Sequence, residues 1–256
     1  MQEGMTALVQ MPKTVLARAE LERARVPYIA VLGHPTTGGV FASLGSLADV
    51  TVAEADATVG FAGPRVAERF TGEPLTGGSH SAGSALAHGL VDDVVPASET
   101  RAYVAQALKI LGPNAPDRVA APPPSSTATE PPADAWSVVT SVRSSAHPRT
   151  DDLSRALGHP HLVLRGDRAG REDPAVTALI TRLKGRRVLV LALDRAHPPG
   201  PGAYRKARRC ITLAQRLGLP LVTLVDTRGA DPSAGSENAG IAGEIARTFE
   251  ALLWVE

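Results

Sequence analysis

Two glycine-bearing turns hold the residues best placed to do chemistry. "GHPTTGGV" (Gly33–Val40) follows the apolar run "YIAVL", and "DTRGADPSAG" (Asp226–Gly235) follows "LPLVTLV". A glycine pair behind a buried strand serves one of two ends. It can make a tight strand-to-helix turn, because glycine tolerates positive φ. It can also let backbone N–H groups at a helix start face a ligand oxygen, as an anion site or oxyanion hole. The second use suits a reaction through an enolate, which needs stabilised charge more than a nucleophile. Neither turn matches G-x-G-x-x-G or G-x-x-x-x-G-K-[ST], so nucleotide phosphate binding has no motif here.

Side-chain catalysis is poorly signalled. The seven histidines form no H-E-x-x-H pattern, so no metal site is expected. "GGSHSAG" around Ser79 and Ser81 is similar to G-x-S-x-G, but no buried strand precedes it, which argues against a nucleophile elbow. The acids of "AEAD" and "VDDVV" read as solvated, with no pairing partner to name. The single cysteine, Cys210, excludes an intramolecular disulfide framework and a cysteine zinc ribbon, and its helical setting reads as a buried thiol. A net charge of +1 draws neither nucleic acid nor a membrane surface. No apolar run reaches the roughly 20 residues of a membrane span, and the N-terminus lacks the pattern of a signal peptide. A cytoplasmic protein is the expectation.

Certain elements must position the two turns. Apolar spacing from Met5 to Arg25 predicts a helix, kinked or broken at Pro12, and Pro27 ends it. "YIAVL" is a strand, "GVFASLGSLADV" is helix-compatible, and "VTVAEADATVGF" reads as short strands turning at Glu54–Asp56. "GPRVAERFTG" and "SAGSALAHG" read as short helices, and "ASETRAYVAQALKIL" as a helix with a serine-type start. Residues 112–135 are rich in proline, serine and alanine and form a linker between units at 1–111 and 136–256. Beyond it, "HPRTDDLSRAL" is a helix capped near Thr150–Asp151. "HLVLRGDR", "RRVLVLALD" and "PLVTLVD" are strands, and "DPAVTALITRLKG" and "AYRKARRCITLAQRLG" read as helices. The plan helix, proline, apolar strand, glycine turn occurs in both units, an internal echo. Nearly continuous apolar strands between helices predict an α/β fold with largely parallel sheets.

Longer runs carry a family resemblance. "MQEGMTALVQMPKT", "PYIAVLGHPTTGGVFASLGSLADVTVAEADATVGFAGPRV" and "AHGLVDDVV" resemble the β-type carboxyltransferase subunit of biotin-dependent acetyl-CoA (acyl-CoA) carboxylases. "HPRTDDL", "GDRAGREDPAVTALITRLKGRRVLVLA" and "AYRKARRCITLAQRLGLPLVTLVDTRGADPSAGSENAGIAGEIAR" resemble the α-type subunit of the same enzyme. The chain thus resembles a β–α fusion. The resemblance implies two crotonase-like half-domains of ββα superhelical repeats. It also implies transfer of a carboxyl group from carboxybiotin, carried on a partner protein, to the α-carbon of an acyl-CoA, without a metal. A biotin carboxyl carrier protein, a biotin carboxylase and further carboxyltransferase chains are the implied partners.

In that family one oxyanion hole holds the thioester oxygen and the other the biotin ureido oxygen. Carried over residue by residue, Gly38, Gly39 and Val40 match donors of the first, and Gly229 and Ala230 match a donor loop of the second. Phe61, Ala62, Gly63 and Pro64 match a wall of the acyl-CoA pocket. Tyr204, Arg205 and Lys206 match the "YRKA" helix, read either as a CoA contact or as a solvated face. There are departures. A "GGAR" segment and a half-domain expected before Met1, and a "GGSGGA"-like loop expected after Glu256, lie outside the chain. Arg228 replaces a proline, and "TGGSHSAGSA" replaces "LPEGFQ". Incomplete half-domains predict exposed apolar surface, association and no independent turnover. A non-catalytic structural subunit is the alternative reading. A crotonase-type hydratase or decarboxylase using Glu54 or Glu237 is the third.

Overall fold

The computed structural model describes residues 5–75, 78–114, 134–142, 152 and 160–253. Most of the 112–135 linker and the helix expected near Thr150–Asp151 lie outside the described residues.

The first unit begins with α1 (Met5–Arg23), which runs through Pro12 without a break. The Thr14 hydroxyl donates to the Met11 carbonyl at 2.8 Å beside that proline. Strands β1 (Ile29–Leu32) and β2 (Thr36–Thr37) lead into α2 (Gly38–Ser43) and a 3₁₀ turn at Gly45–Leu47. Then come β3 (Val50–Glu54), β4 (Val59–Gly60), α3 (Pro64–Thr71), α4 (Ala82–Ala87), β5 (Asp93–Val95) and α5 (Thr100–Leu111). The start of α5 is not the expected serine cap: Glu99 precedes it with no side-chain cap bond. Strands β1, β3 and β5 form one parallel sheet with β3 at its centre. Val50, Thr51, Val52 and Ala53 are all buried, as a central parallel strand covered on both faces requires. Strands β2 and β4 make a separate parallel pair.

The second unit holds α6 (Ala135–Val142), β6 (His161–Leu164), β7 (Val176–Leu183), β8 (Arg186–Leu193), α7 (Pro201–Leu217), β9 (Leu221–Leu224), α8 (Ala234–Asn238) and α9 (Ile241–Leu252). Two expectations fail here. "VTALITRL" is strand β7, not a helix, and β6, β7 and β8 are antiparallel, with only β8–β9 parallel. Eight paired positions join β7 to β8, and Lys184 and Gly185, both at positive φ, close the hairpin between them. That pairing outweighs a helix-compatible composition, which is a weak prior once an element is sandwiched between partners. Val, Ile and two Thr in the run already favour the pleated conformation.

The units share one core. Val50, Ala107, Ile110 and Leu111 of the first pack with Leu164, Ile180, Leu189, Ile211 and Leu217 of the second. Where the chains cross, Gly89 lies against Gly166, both at positive φ, and a β-carbon on either would enter the other's backbone. Beside this crossing is a seam of buried charge. Asp92, fully buried, accepts the N–H groups of Thr51 and Arg165, each at 2.8 Å, and pairs with Arg168 and Arg209. Asp49 accepts the Tyr28 N–H at 2.7 Å and pairs with Arg216. The "VDDVV" acids are therefore not both solvated: Asp92 is the most heavily bonded carboxylate of the seam. No helix among the described residues is long and apolar enough to cross a membrane.

Candidate functional site

The internal echo is real in three dimensions. In the first unit α1 and β1 lead to the Gly38 turn, and in the second α7 and β9 lead to the Gly229 turn. At the first turn Thr36 locks the backbone twice: its N–H donates to the Thr58 carbonyl and its hydroxyl to the Gly33 carbonyl, both at 2.8 Å. The β2–β4 pair then sets Thr37 beside Gly60. Gly38, at φ +64°, turns the chain into α2.

This arrangement brings two of the expected segments together. The Gly38 N–H donates to the Phe61 carbonyl at 2.7 Å, so the glycine turn is bonded directly to the 61–64 segment. It also corrects the donor set. Gly38, expected to offer its amide, has that amide engaged. The N–H groups of Gly39 and Val40 remain at the first turn of α2, where helix geometry supplies no partner. Gly39 is close-packed, since a β-carbon there would lie 2.7 Å from the Met11 sulfur of α1. Val40 is exposed, and so is Phe61 at 68%. Gly63 precedes Pro64, which starts α3 in the favoured first-turn position. Elsewhere in this unit further apolar residues are exposed, including Leu16, Val66 and Phe70, as expected.

At the second turn Gly229 adopts φ +118° and its N–H donates to the Thr227 hydroxyl at 3.1 Å. The Gly229 amide is thus engaged. Asp231 follows, with its N–H on the Pro199 carbonyl. The hydroxyls of Ser233 and Ser236 both donate to the Asp231 carboxylate, and hold its pKa below the usual range. Arg228 is exposed. No hydrogen bond among the described residues joins the two turns.

The other expected residues are placed differently. Lys206 is buried, its ammonium paired with Glu172 and donating to the Val176 carbonyl at 2.7 Å. Arg205 pairs with Asp167 at 2.7 Å, and the Tyr204 carbonyl accepts from Thr248 at 3.2 Å. These residues are not a solvated face; they fasten α7 to the 167–172 loop and to α9. Ser81 caps α4, its hydroxyl accepting from the Ser84 N–H at 3.1 Å and donating to the Gly78 carbonyl. The serine of "GSHSAG" is consumed as a helix cap. Glu54 stands beside Gly33, 3.5 Å from where a β-carbon would be, while Glu237 is exposed on α8. The residues that sequence reasoning missed are Asp49, Asp92 and Asp167, whose arginine partners are distant in the chain.

In both units a strand that runs parallel to a neighbour ends in a glycine-bearing turn, Gly38 opening α2 and Gly229 lying in the loop before α8, and the fold as a whole is crotonase-like α/β. Solved structures agree on that fold. Transcarboxylase 12S superposes with a TM-score of 0.74 at 24% identity, covering 98% of this chain and 49% of that one. A single-chain, multi-domain long-chain acyl-CoA carboxylase gives 0.65 at 21% identity, covering 88% and 22%.

The sequence comparisons are more specific. The family model for the carboxyl transferase domain matches residues 1–88. That for acetyl co-enzyme A carboxylase carboxyltransferase-like proteins matches residues 131–256. The chain is 39% identical to the acetyl-coenzyme A carboxylase carboxyl transferase subunits beta/alpha of Salinispora tropica, over 98% of its own length and 48% of the relative's. It is 38% identical to a probable biotin-dependent acyl-coenzyme A carboxylase beta3 subunit of Mycobacterium tuberculosis, over 100% and 52%. The chain belongs to the carboxyltransferase family of biotin-dependent acyl-CoA carboxylases, as a β-type segment followed by an α-type segment. It spans about half the length of the curated relatives it matches.

Proposed function

We propose that this chain contributes to carboxyl transfer onto the α-carbon of an acyl-CoA, with acetyl-CoA giving malonyl-CoA as the first case to test. The observation that carries the reading is the Gly38–Phe61 hydrogen bond. It fixes the amides of Gly39 and Val40 at the start of α2, beside the exposed apolar surface of Val40 and Phe61. An acyl thioester laid on that surface can place its carbonyl oxygen at those two N–H groups. The overall transfer would exchange the α-C–H bond for a C–CO2 bond while the ureido nitrogen that gives up the carboxyl group takes the proton; the charge that develops on the thioester oxygen is stabilised by preorganised donors more than the ground state is. Phe61, Ala62, Gly63 and Pro64 form the adjoining wall. Ala230, beside the Gly229 turn, is the proposed donor toward the ureido oxygen of carboxybiotin, which supplies the carboxyl group from a carrier protein. Tyr204, Arg205 and Lys206 serve this reading through the placement of α7. Biotin carrier protein, biotin carboxylase and further carboxyltransferase chains are the proposed partners, in the cytoplasm.

The test is carboxyl transfer from carboxybiotin to acetyl-CoA and propionyl-CoA by the chain co-expressed with those partners. Val40→Pro removes one donor N–H at a first-turn position. It is expected to lower kcat by 10²–10³, about 2.7–4 kcal/mol, with an unchanged circular dichroism spectrum. A folded chain that supports no transfer in any combination would leave the structural-subunit reading in its place.

A further inference from the structure

A separate cavity of about 240 Å³ lies on the seam, and neither glycine turn lines it. Its walls come from α1, the 46–49 turn, Asp167–Arg168 and the second half of α7, so both units contribute. Four arginines line it: Arg18, Arg168, Arg209 and Arg216. Two of them have carboxylates of their own, Arg18 with Glu22 and Arg216 with Asp49. The third acid of the wall, Asp167, is engaged elsewhere. One of its oxygens accepts from Arg205 at 2.7 Å and the other from the N–H groups of Ala169 and Arg171.

That leaves Arg168 and Arg209 sharing Asp92, a residue outside the cavity wall. Two guanidinium charges thus face one carboxylate, and among the described residues neither has another. The Nε of Arg168 is buried without a hydrogen-bond partner. Burial pulls the Arg168 pKa below its ordinary value against the pull of Asp92, and Arg209 lowers it further, as a surplus of positive charge would. A buried cation without its own counter-charge is costly. Guanidinium groups meet that need best with an oxyanion, through paired, charge-assisted N–H bonds.

We propose that this cavity binds a tetrahedral oxyanion, either phosphate or the phosphoryl group of a monoester, which balances the charge of the seam and fastens the two units together. The binding is independent of the carboxyl-transfer reading and is tested without it. Thermal unfolding of the full chain is followed in inorganic phosphate against sodium chloride at matched ionic strength, because general screening alone shifts charged networks. A saturable rise in Tm with phosphate is expected. A parallel titration with AMP identifies the source: saturation at far lower AMP than phosphate assigns a monoester, and the reverse assigns the free ion. Thr212, exposed on α7 at the cavity wall, is the site of the control. Thr212→Glu adds a negative charge without touching the core and is expected to raise the half-saturating concentration at least about tenfold. Arg18→Gln is expected to act in the same direction. No saturable gain over chloride, or an equal gain in both folded variants, would overturn the proposal.

Discussion

At the scale of single residues, the proposed chemistry depends on which backbone donors remain available. The family resemblance nominated Gly38, Gly39 and Val40 alike. The fold engages the first with Phe61 and leaves the other two at the helix start. No spacing rule distinguishes these amides, because the acceptor lies 23 residues away on another turn. Cys210 is the opposite case, since its helical setting alone indicated burial. It is fully buried in the shared core, and burial pushes its thiol above the ordinary range. The thiolate is the reactive form. Labelling by a thiol-specific disulfide reagent at pH 8 is therefore expected to proceed only as fast as the chain opens. A rapid stoichiometric reaction of the native protein would contradict this placement.

Elements were legible where local signals agreed. The strand–turn–helix runs at 28–43, the proline-started α3, and the helices of "GPRVAERFTG" and "AYRKARRCITLAQRLG" with their glycine ends at Gly72 and Gly218 follow from their residues. Strand β7 was not legible in that way, because its apolar positions fit a helix until β6 and β8 flank it. Helix α9 shows how tertiary contacts also set acid stability. Glu244 is buried, and burial alone would raise its pKa. Hydrogen bonds from Arg208 at 2.6 Å and Arg247 at 2.9 Å outweigh that and hold it below the usual carboxylate range. A depressed pKa contributes stability that is fully present above the ordinary value, about 4.3. It is lost as pH falls through the depressed one. Stability measured by denaturant unfolding is expected to fall more steeply below about pH 4.3 in the wild type than in Glu244→Gln. Parallel curves would remove Glu244 from the account.

At the scale of the whole molecule, the two units behave as one body because they share a core and a charged seam. Asp92 is the test of that view. Asp92→Asn leaves Arg168 and Arg209 buried without their carboxylate and is expected to cost about 3–5 kcal/mol, read as a lower denaturant midpoint at constant slope. A change under about 1 kcal/mol would place the seam's stability in apolar contacts instead. What the sequence determined by itself was local or was carried in long continuous runs: the glycine turns, the proline start of α3, the buried thiol, the repeated plan and the family. These depend on neighbours within a few residues, or on many residues matched in order. What only the tertiary structure decided was the direction of β7, the engaged amides of Gly38 and Gly229, the roles of Arg205 and Lys206, and the burial of Asp92. The engaged Gly38 amide, the roles of Arg205 and Lys206 and the burial of Asp92 depend on partners brought close by folding from tens of residues away; β7 depends on the hairpin to β8 and on β6, and Gly229 on the local path of its loop. Burial then turns such a meeting into a strong interaction, because a charge or an N–H removed from water must find its partner within the protein.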